Sequence, residues 1–195
     1  MNVAELGILD SIQDIFRNDV LDVIMKFVSR IGDYSVVWIV LAVVLLIIPR
    51  TRRSGVAIAL SLIIDVLLCN VIVKPIAART RPYEYNTDIV LLIDRLSDYS
   101  FPSGHTAAAF AVVTALLKCR NRIWIPAIVL GILMAFSRLY LYVHYPTDVI
   151  FGVLFGIAAG MLAYTVMRFI EKKGEKSSRE FELDRQCDVD TDKRI

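Results

Sequence analysis

Histidine is almost missing from this chain: only His105 and His144 occur in 195 residues. Cysteine is scarce too, with Cys69 in an apolar run, Cys119 in a basic loop and Cys187 in the tail. Three scattered thiols exclude a disulfide framework and a metal knuckle. No carboxylate–histidine group has the make-up of a metal cage, so the expected metal set is none and no cofactor is expected. A net charge of +2 is too small to point to nucleic acid as a partner. The first residues, Met1-Asn2-Val3-Ala4-Glu5, lack a basic leader, so no cleaved signal peptide is expected. There is no internal repeat and no low-complexity tract.

What the chain has in abundance is apolar surface. Hydrophobic residues make up 56% of it and the mean hydropathy is +0.59. Five apolar runs stand out, at 34–48, 55–73, 104–117, 123–143 and 147–170. A spanning helix needs about 20 residues, so the first and third must recruit flanking positions. Five such runs in so short a chain leave too little polar surface for a soluble α-domain. The expected fold is all-α: a polytopic membrane helix bundle of about five spans.

Residues 8–31 differ. Ile8, Ile12, Phe16, Val20, Ile24, Phe27 and Ile31 recur every three or four positions, opposite Asp10, Asp14, Arg17, Asp22, Lys26 and Arg30. Asp10, with Gln13 three positions on, reads as a helix start. Each charge near the bilayer centre costs about 2.5–3.5 kcal/mol, so this stretch is expected to lie along the interface. The organisation is therefore 1–33 as an interfacial segment, 34–170 as the membrane domain and 171–195 as a charged, disordered cytoplasmic tail.

Charge sets the orientation. Ten basic residues follow the first, third and fifth runs: Arg50, Arg52, Arg53, Lys118, Arg120, Arg122, Arg168, Lys172, Lys173 and Lys176. The two loops of the other side hold Lys74, Arg79, Arg81, Arg95 and Arg138. Positive charge collects in the cytoplasm, so the C-terminus is expected inside and the N-terminus outside a cell membrane. Three polar clusters then share the outer side: Lys74 with Arg81-Pro82, Pro102-Ser103-Gly104-His105, and Ser137-Arg138 with His144 and Asp148.

Written as K-x6-RP, PSGH and SR-x5-H-x3-D, these clusters resemble the three signature blocks of the type 2 phosphatidic acid phosphatase family, which is grouped with the vanadium haloperoxidases. The resemblance covers about residues 70–150, without a departure inside the blocks. That family's core is usually described with six membrane helices; here the first would be the interfacial segment, or absent.

The chemistry agrees residue by residue. A phosphate ester yields only when its oxygens are neutralised, a nucleophile is aimed in line and the leaving oxygen is protonated. Lys74, Arg81 and Arg138 supply positive charge, the arginines as forks and the lysine as a point charge. Gly104 lets the backbone close on an anion, Ser103 adds a hydroxyl, and a helix starting there would aim free N–H groups at phosphate. The resemblance implies that His144 becomes a phosphohistidine, that Asp148 holds its other ring nitrogen, and that His105 protonates the leaving oxygen.

Other polar residues read differently. Asp65 is either a functional intramembrane acid or a structural partner of Ser61, Asn70 or a neighbouring helix. Arg79 reads as a headgroup binder, and Tyr140, Tyr142 and Tyr145 as an interfacial aromatic belt. Glu84, Asp88, Asp94 and Asp98, in the loop 83–101, read as solvated charge. The partners expected are a lipid phosphate or pyrophosphate and membrane lipid. An isoprenoid (undecaprenyl) pyrophosphate comes first and a glycerolipid phosphate second. A small transporter or flippase would need no His144–Asp148 pair, and five spans without a repeat suit alternating access poorly. A soluble haloperoxidase does not fit the apolar runs. Oligomeric state is not legible.

Overall fold

The computed structural model describes the backbone of residues 3–192 and the side chains of residues 3–175. Among the described residues every regular element is helical. The order is α1 (Val3–Phe16), α2 (Asp19–Gly32), a short 3-10 turn at Asp33–Ser35, and α3 (Val36–Ile47). It continues with α4 (Arg52–Asp65), a π-helix (Val66–Val73), α5 (Lys74–Ala77) and α6 (Pro82–Tyr85). The last three are α7 (Gly104–Lys118), α8 (Trp124–Tyr140) and α9 (Pro146–Asp192). Residues 1–164 form one compact unit and 165–195 a second. The sequence divides the chain elsewhere, at 33/34 and 170/171.

Three stretches are long and apolar enough to cross a membrane: Asp19–Ile47, Arg52–Tyr85 and Pro146–Glu175. Gly104–Lys118 and Trp124–Tyr140 are shorter apolar helices, and at 1.5 Å per residue each falls short of a bilayer core of about 30 Å. All five expected runs are therefore helical. Large apolar side chains face outward from α3, α4 and α8, among them Val40, Val43, Ile63, Val129 and Ile132. Hydrocarbon, unlike water, accepts such a surface without cost.

The N-terminal stretch departs from expectation. The stripe over 8–31 is broken by Asn18, whose side chain accepts a hydrogen bond from Leu21 N at 3.0 Å and starts α2. Asp10 lies in mid-helix rather than at a helix start. α2 buries Met25, Val28, Ser29 and Gly32 and packs against α8 and α3, not apart from the bundle. At the other end, α9 runs on through the charged stretch for which disorder is expected, and side chains past 175 lie outside the described residues.

Two local irregularities aim the chain at one end of the bundle. Pro75 has no N–H to give the regular ladder, and ahead of it the helix widens to π spacing, with Lys74 N donating to Cys69 O. Ala78, at φ 43°, then ends α5 and turns Arg79 and Arg81 back over the bundle. Between α2 and α3, Tyr34 and Ser35 both hold left-handed backbone, at φ 51° and 58°. Such positions cost about 1 kcal/mol or more each and persist where the surroundings dictate them. Here they swing Asp33 toward the same end.

α4 packs on α3 and α7, and α7 packs on α8. Close approach depends on small residues. A Cβ on Gly152 would stand 2.8 Å from Ser103 O, on Gly156 2.3 Å from Ala107 O, and on Gly160 2.6 Å from Ala111 O. The stripe Gly152-x3-Gly156-x3-Gly160 therefore brings α9 against the backbone of α7. The tyrosines are not a belt: Tyr140, Tyr142 and Tyr145 are buried, around Leu9, Met25 and Tyr83. Their hydroxyls explain why: Tyr140 donates to Asp22 at 2.5 Å and Tyr142 to Asp10 at 2.7 Å.

Candidate active site

A polar cavity of about 420 Å³ opens where these elements converge, and Lys74, Arg81, Gly104, His105 and His144 all line it. His144 sits in the buried turn between α8 and α9, 2% exposed. Its Nε2 lies 3.5 Å from Arg81 Nη1. Its Nδ1 lies 3.5 Å from Asp148 Oδ2, an ion-pair distance without a formed hydrogen bond. Apo contacts of this kind commonly tighten only when substrate binds. Asp148 is fully buried behind it, where Oδ2 accepts from Tyr145 N at 2.9 Å and from Ser100 Oγ. Burial pushes the His144 imidazole down to about 4. The contact with Asp148 pulls the other way, and the positive charges of Arg81 and Arg138 reinforce burial. Burial and the two arginines thus favour the neutral form of the ring.

His105 has a carboxylate of its own. Its Nε2 lies 3.1 Å from Asp33 Oδ1, on the strained turn after α2. Each of the two histidines that line the cavity thus has an aspartate beside it. Lys74 and Arg81 converge on Asp98: Arg81 Nη2 donates to Oδ1 at 2.6 Å and Lys74 pairs with Oδ2. Burial alone would raise the Asp98 carboxyl, but the two cations hold it at about 2. Asp98 is thus not ordinary solvated charge; it occupies the cations where a phosphate would compete for them.

The remaining residues divide. Ser103 N donates to Asp148 O at 3.1 Å, which ties the start of α7 to that of α9. The Ser103 hydroxyl faces Thr106 at 3.0 Å rather than the cavity. No side chain caps α7, so its first N–H groups are free to meet an anion. Arg138 is 1% exposed and lines a neighbouring cavity of about 630 Å³ with Lys26, Arg30 and Asp33. Its hydrogen bonds run to Ser137 Oγ at 3.3 Å. Asp65 lines the main cavity with Oδ1 unpartnered, while Ser61 donates to Ile58 O and so is not its partner.

Sequence reasoning missed Asp33, Asp98, Arg79 and Glu5. Arg79 is no headgroup binder: Nη1 donates to Asp148 Oδ1 at 2.6 Å and Nη2 to Glu5 Oε2 at 2.6 Å. A hint existed only for Arg79, two positions before Arg81 inside the first block. Among the described residues no group of three or more His, Cys, Asp or Glu is arranged to hold a metal ion. The arrangement can grip a phosphate, attack it from His144 and protonate what leaves. An apolar helical bundle built around that chemistry is a phosphate-handling enzyme of the membrane.

Comparison with known proteins agrees. A family model described as the PAP2 superfamily matches residues 53–172. The chain is 38% identical over 137 residues to an undecaprenyl-diphosphatase of Sulfolobus acidocaldarius, covering 70% of this chain and 66% of that protein, just under two thirds of its length. It is 32% identical over 152 residues to undecaprenyl-diphosphatase BcrC of Bacillus subtilis, covering 76% of each. Among solved structures, Aquifex aeolicus LpxE superposes with a TM-score of 0.71 at 28% identity, over 83% of this chain and 95% of that one. The first transmembrane PAP2 type phosphatidylglycerolphosphate phosphatase from Bacillus subtilis gives 0.64 at 27%, over 89% and 88%. The chain belongs to the PAP2 superfamily and is a membrane lipid phosphatase.

Proposed function

We propose that the protein hydrolyses an isoprenoid diphosphate of the undecaprenyl type through a phosphohistidine on His144, without a metal ion. The observation that carries the lipid reading is a second, apolar groove of about 600 Å³ between α3 and α4. Tyr34, Ser35, Val66 and Asn70 line both it and the polar cavity, so one molecule can lay its tail in the groove and its phosphate on Lys74 and Arg81. Relatives named for undecaprenyl diphosphate favour an isoprenoid tail. A glycerolipid phosphate is the second reading, favoured by the name of one structural neighbour.

In this reading the phosphoryl oxygens lie on Lys74, Arg81 and the N–H groups of Gly104 and His105, with Ser103 fixing the start of α7 and Arg138 adding charge from beside the cavity. His144, with its proton on Nδ1 toward Asp148, attacks phosphorus through Nε2. The bond to the lipid phosphate breaks, and His105, held by Asp33, gives a proton to the leaving oxygen. Water then loses a proton to His105 and attacks phosphorus; the P–N bond breaks, and inorganic phosphate leaves. The domain that does this spans 34–170, with Asp33 and Glu5 supplied from the N-terminal segment.

The test is phosphate release by purified protein in detergent containing EDTA, over isoprenoid and glycerolipid mono- and diphosphates. The undecaprenyl diphosphate arm is expected to give the highest kcat/KM. A strict Mg²⁺ requirement, or preference for phosphatidate or phosphatidylglycerophosphate, would overturn the reading.

We further propose that the cavity opens outside the cytoplasm, supported by the ten basic residues that flank the opposite ends of the spans. Thr87→Cys, exposed in the loop after α6, and Ser177→Cys can be made in a background lacking Cys69, Cys119 and Cys187. A membrane-impermeant thiol reagent should label the first in intact cells and spare the second until lysis. The reverse pattern would turn the site toward the cytoplasmic leaflet.

A further inference from the structure

The mechanism above makes no use of Arg79, although it touches Asp148. Arg79 is held on four sides: by Asp148 Oδ1 at 2.6 Å, Thr147 Oγ1 at 2.7 Å, Glu5 Oε2 at 2.6 Å and the Tyr145 ring 3.9 Å below its guanidinium. Glu5 is only 5% exposed on α1 and also accepts from Thr147 N at 3.1 Å. An ionic chain therefore runs Glu5–Arg79–Asp148–His144, joining the N-terminal helix to the proposed nucleophile. Surface ion pairs contribute little, but here both carboxylates are buried against a half-buried Arg79, and one of them, Asp148, also faces the proposed nucleophile.

We infer that Arg79 is a positioning residue that fixes Asp148 and takes up part of its charge, and that Glu5 sets how much. This rests on the phosphohistidine reading. The physical reason is a conflict in what Asp148 must do. An aspartate given wholly to His144 would favour the imidazolium, which cannot attack. An aspartate withdrawn from it would leave the ring free to rotate or change tautomer. Dividing the carboxylate, with Oδ1 to Arg79 and Oδ2 toward His144, orients the ring while keeping it neutral. Glu5 draws on Arg79 in turn and limits the withdrawal. Burial opposes the charge on Glu5, yet Thr147 and Arg79 outweigh it and hold its carboxyl below the ordinary range. The other charged or titratable groups facing His144 are Arg81 from the loop after α5, with its partners Asp98 and Lys74, Arg138 from α8 and His105 from α7. Of all these, Asp148 alone directly favours the charged ring.

With only two histidines in the chain, ¹⁵N-histidine labelling in detergent reads the His144 ring directly, and His105→Gln assigns it. Arg79→Met should move the His144 titration to higher pH, and Glu5→Gln should move it to lower pH. Arg79→Lys should stay nearer to wild type than Arg79→Met. In turnover, Arg79→Met should lose about 10–100-fold in kcat with KM little changed. Opposite shifts from two members of one ion pair are not produced by general loosening. An unmoved His144 titration, or shifts of the same sign, would overturn the inference. Should Arg79→Met fail to fold, the near-isosteric Glu5→Gln decides alone. The titration is read without turnover, so it separates from the phosphohistidine reading, which falls if His144 proves dispensable for phosphate release.

Discussion

Replacing His144 by alanine is expected to cut phosphate release by about a thousandfold or more, with insertion intact and KM nearly unchanged. In the proposed mechanism the phosphate is held by Lys74, Arg81 and the start of α7, none of which the substitution removes. What disappears is Nε2, the atom that forms the covalent intermediate. The site can then offer only charge stabilisation to a water molecule it does not orient. His144 is buried, so the variant also leaves a small void, and thermal unfolding in detergent should be measured beside activity. His144→Asn fills more of that space and should be as inactive. Release within tenfold of wild type by either variant, in folded protein, would remove the phosphohistidine from the mechanism.

Asp148→Asn should be nearly as damaging, by about 10³–10⁴-fold in kcat, although it changes almost nothing in shape. An amide can donate toward His144 Nδ1 and so select the wrong tautomer, leaving a proton on Nε2 where the lone pair is needed. It also removes the charge that stabilises the ring as it becomes cationic on phosphorylation. Loss of one partner from a buried ion pair costs about 3–5 kcal/mol. Arg79 keeps Glu5 and is 27% exposed, so the cost here should be nearer 1–3 kcal/mol. Unfolding temperature and single-turnover rate together separate the two effects. A variant that stays folded and fast would show that Asp148 is a structural anion and no orienter.

The helices and the convergence of the three motifs were legible because both rest on local patterns. Apolar runs announce spans, and motifs carried on alternate loops must meet at one face. The partners of the motifs were not legible. Asp98 is one of four acids in the loop 83–101, and nothing local separates it from Glu84, Asp88 or Asp94. Only the return of that loop over Lys74 and Arg81 does so. Asp33 depends on a left-handed turn at Tyr34 and Ser35, neither of which is the glycine that such backbone favours. Glu5 meets Arg79 across 74 positions of chain. The tyrosines misled for a related reason: an aromatic with one polar atom suits a membrane interface and a buried pocket equally, and Asp10 and Asp22 decide between them.

The glycine stripe on α9 bears on where in the protein catalytic accuracy is made. Gly152 touches the backbone of Ser103, one residue before α7 begins, and lies one turn beyond Asp148. The helices that carry the proposed acid, His105, and the proposed orienting carboxylate, Asp148, are thus gauged against each other by bare backbone contact. That spacing continues through Gly156 and Gly160, two further turns along the helix. A displacement of about 1 Å between reacting groups can cost a hundredfold in rate. The tolerance of the chemistry is therefore machined along an apolar helix, from residues that carry no functional group at all.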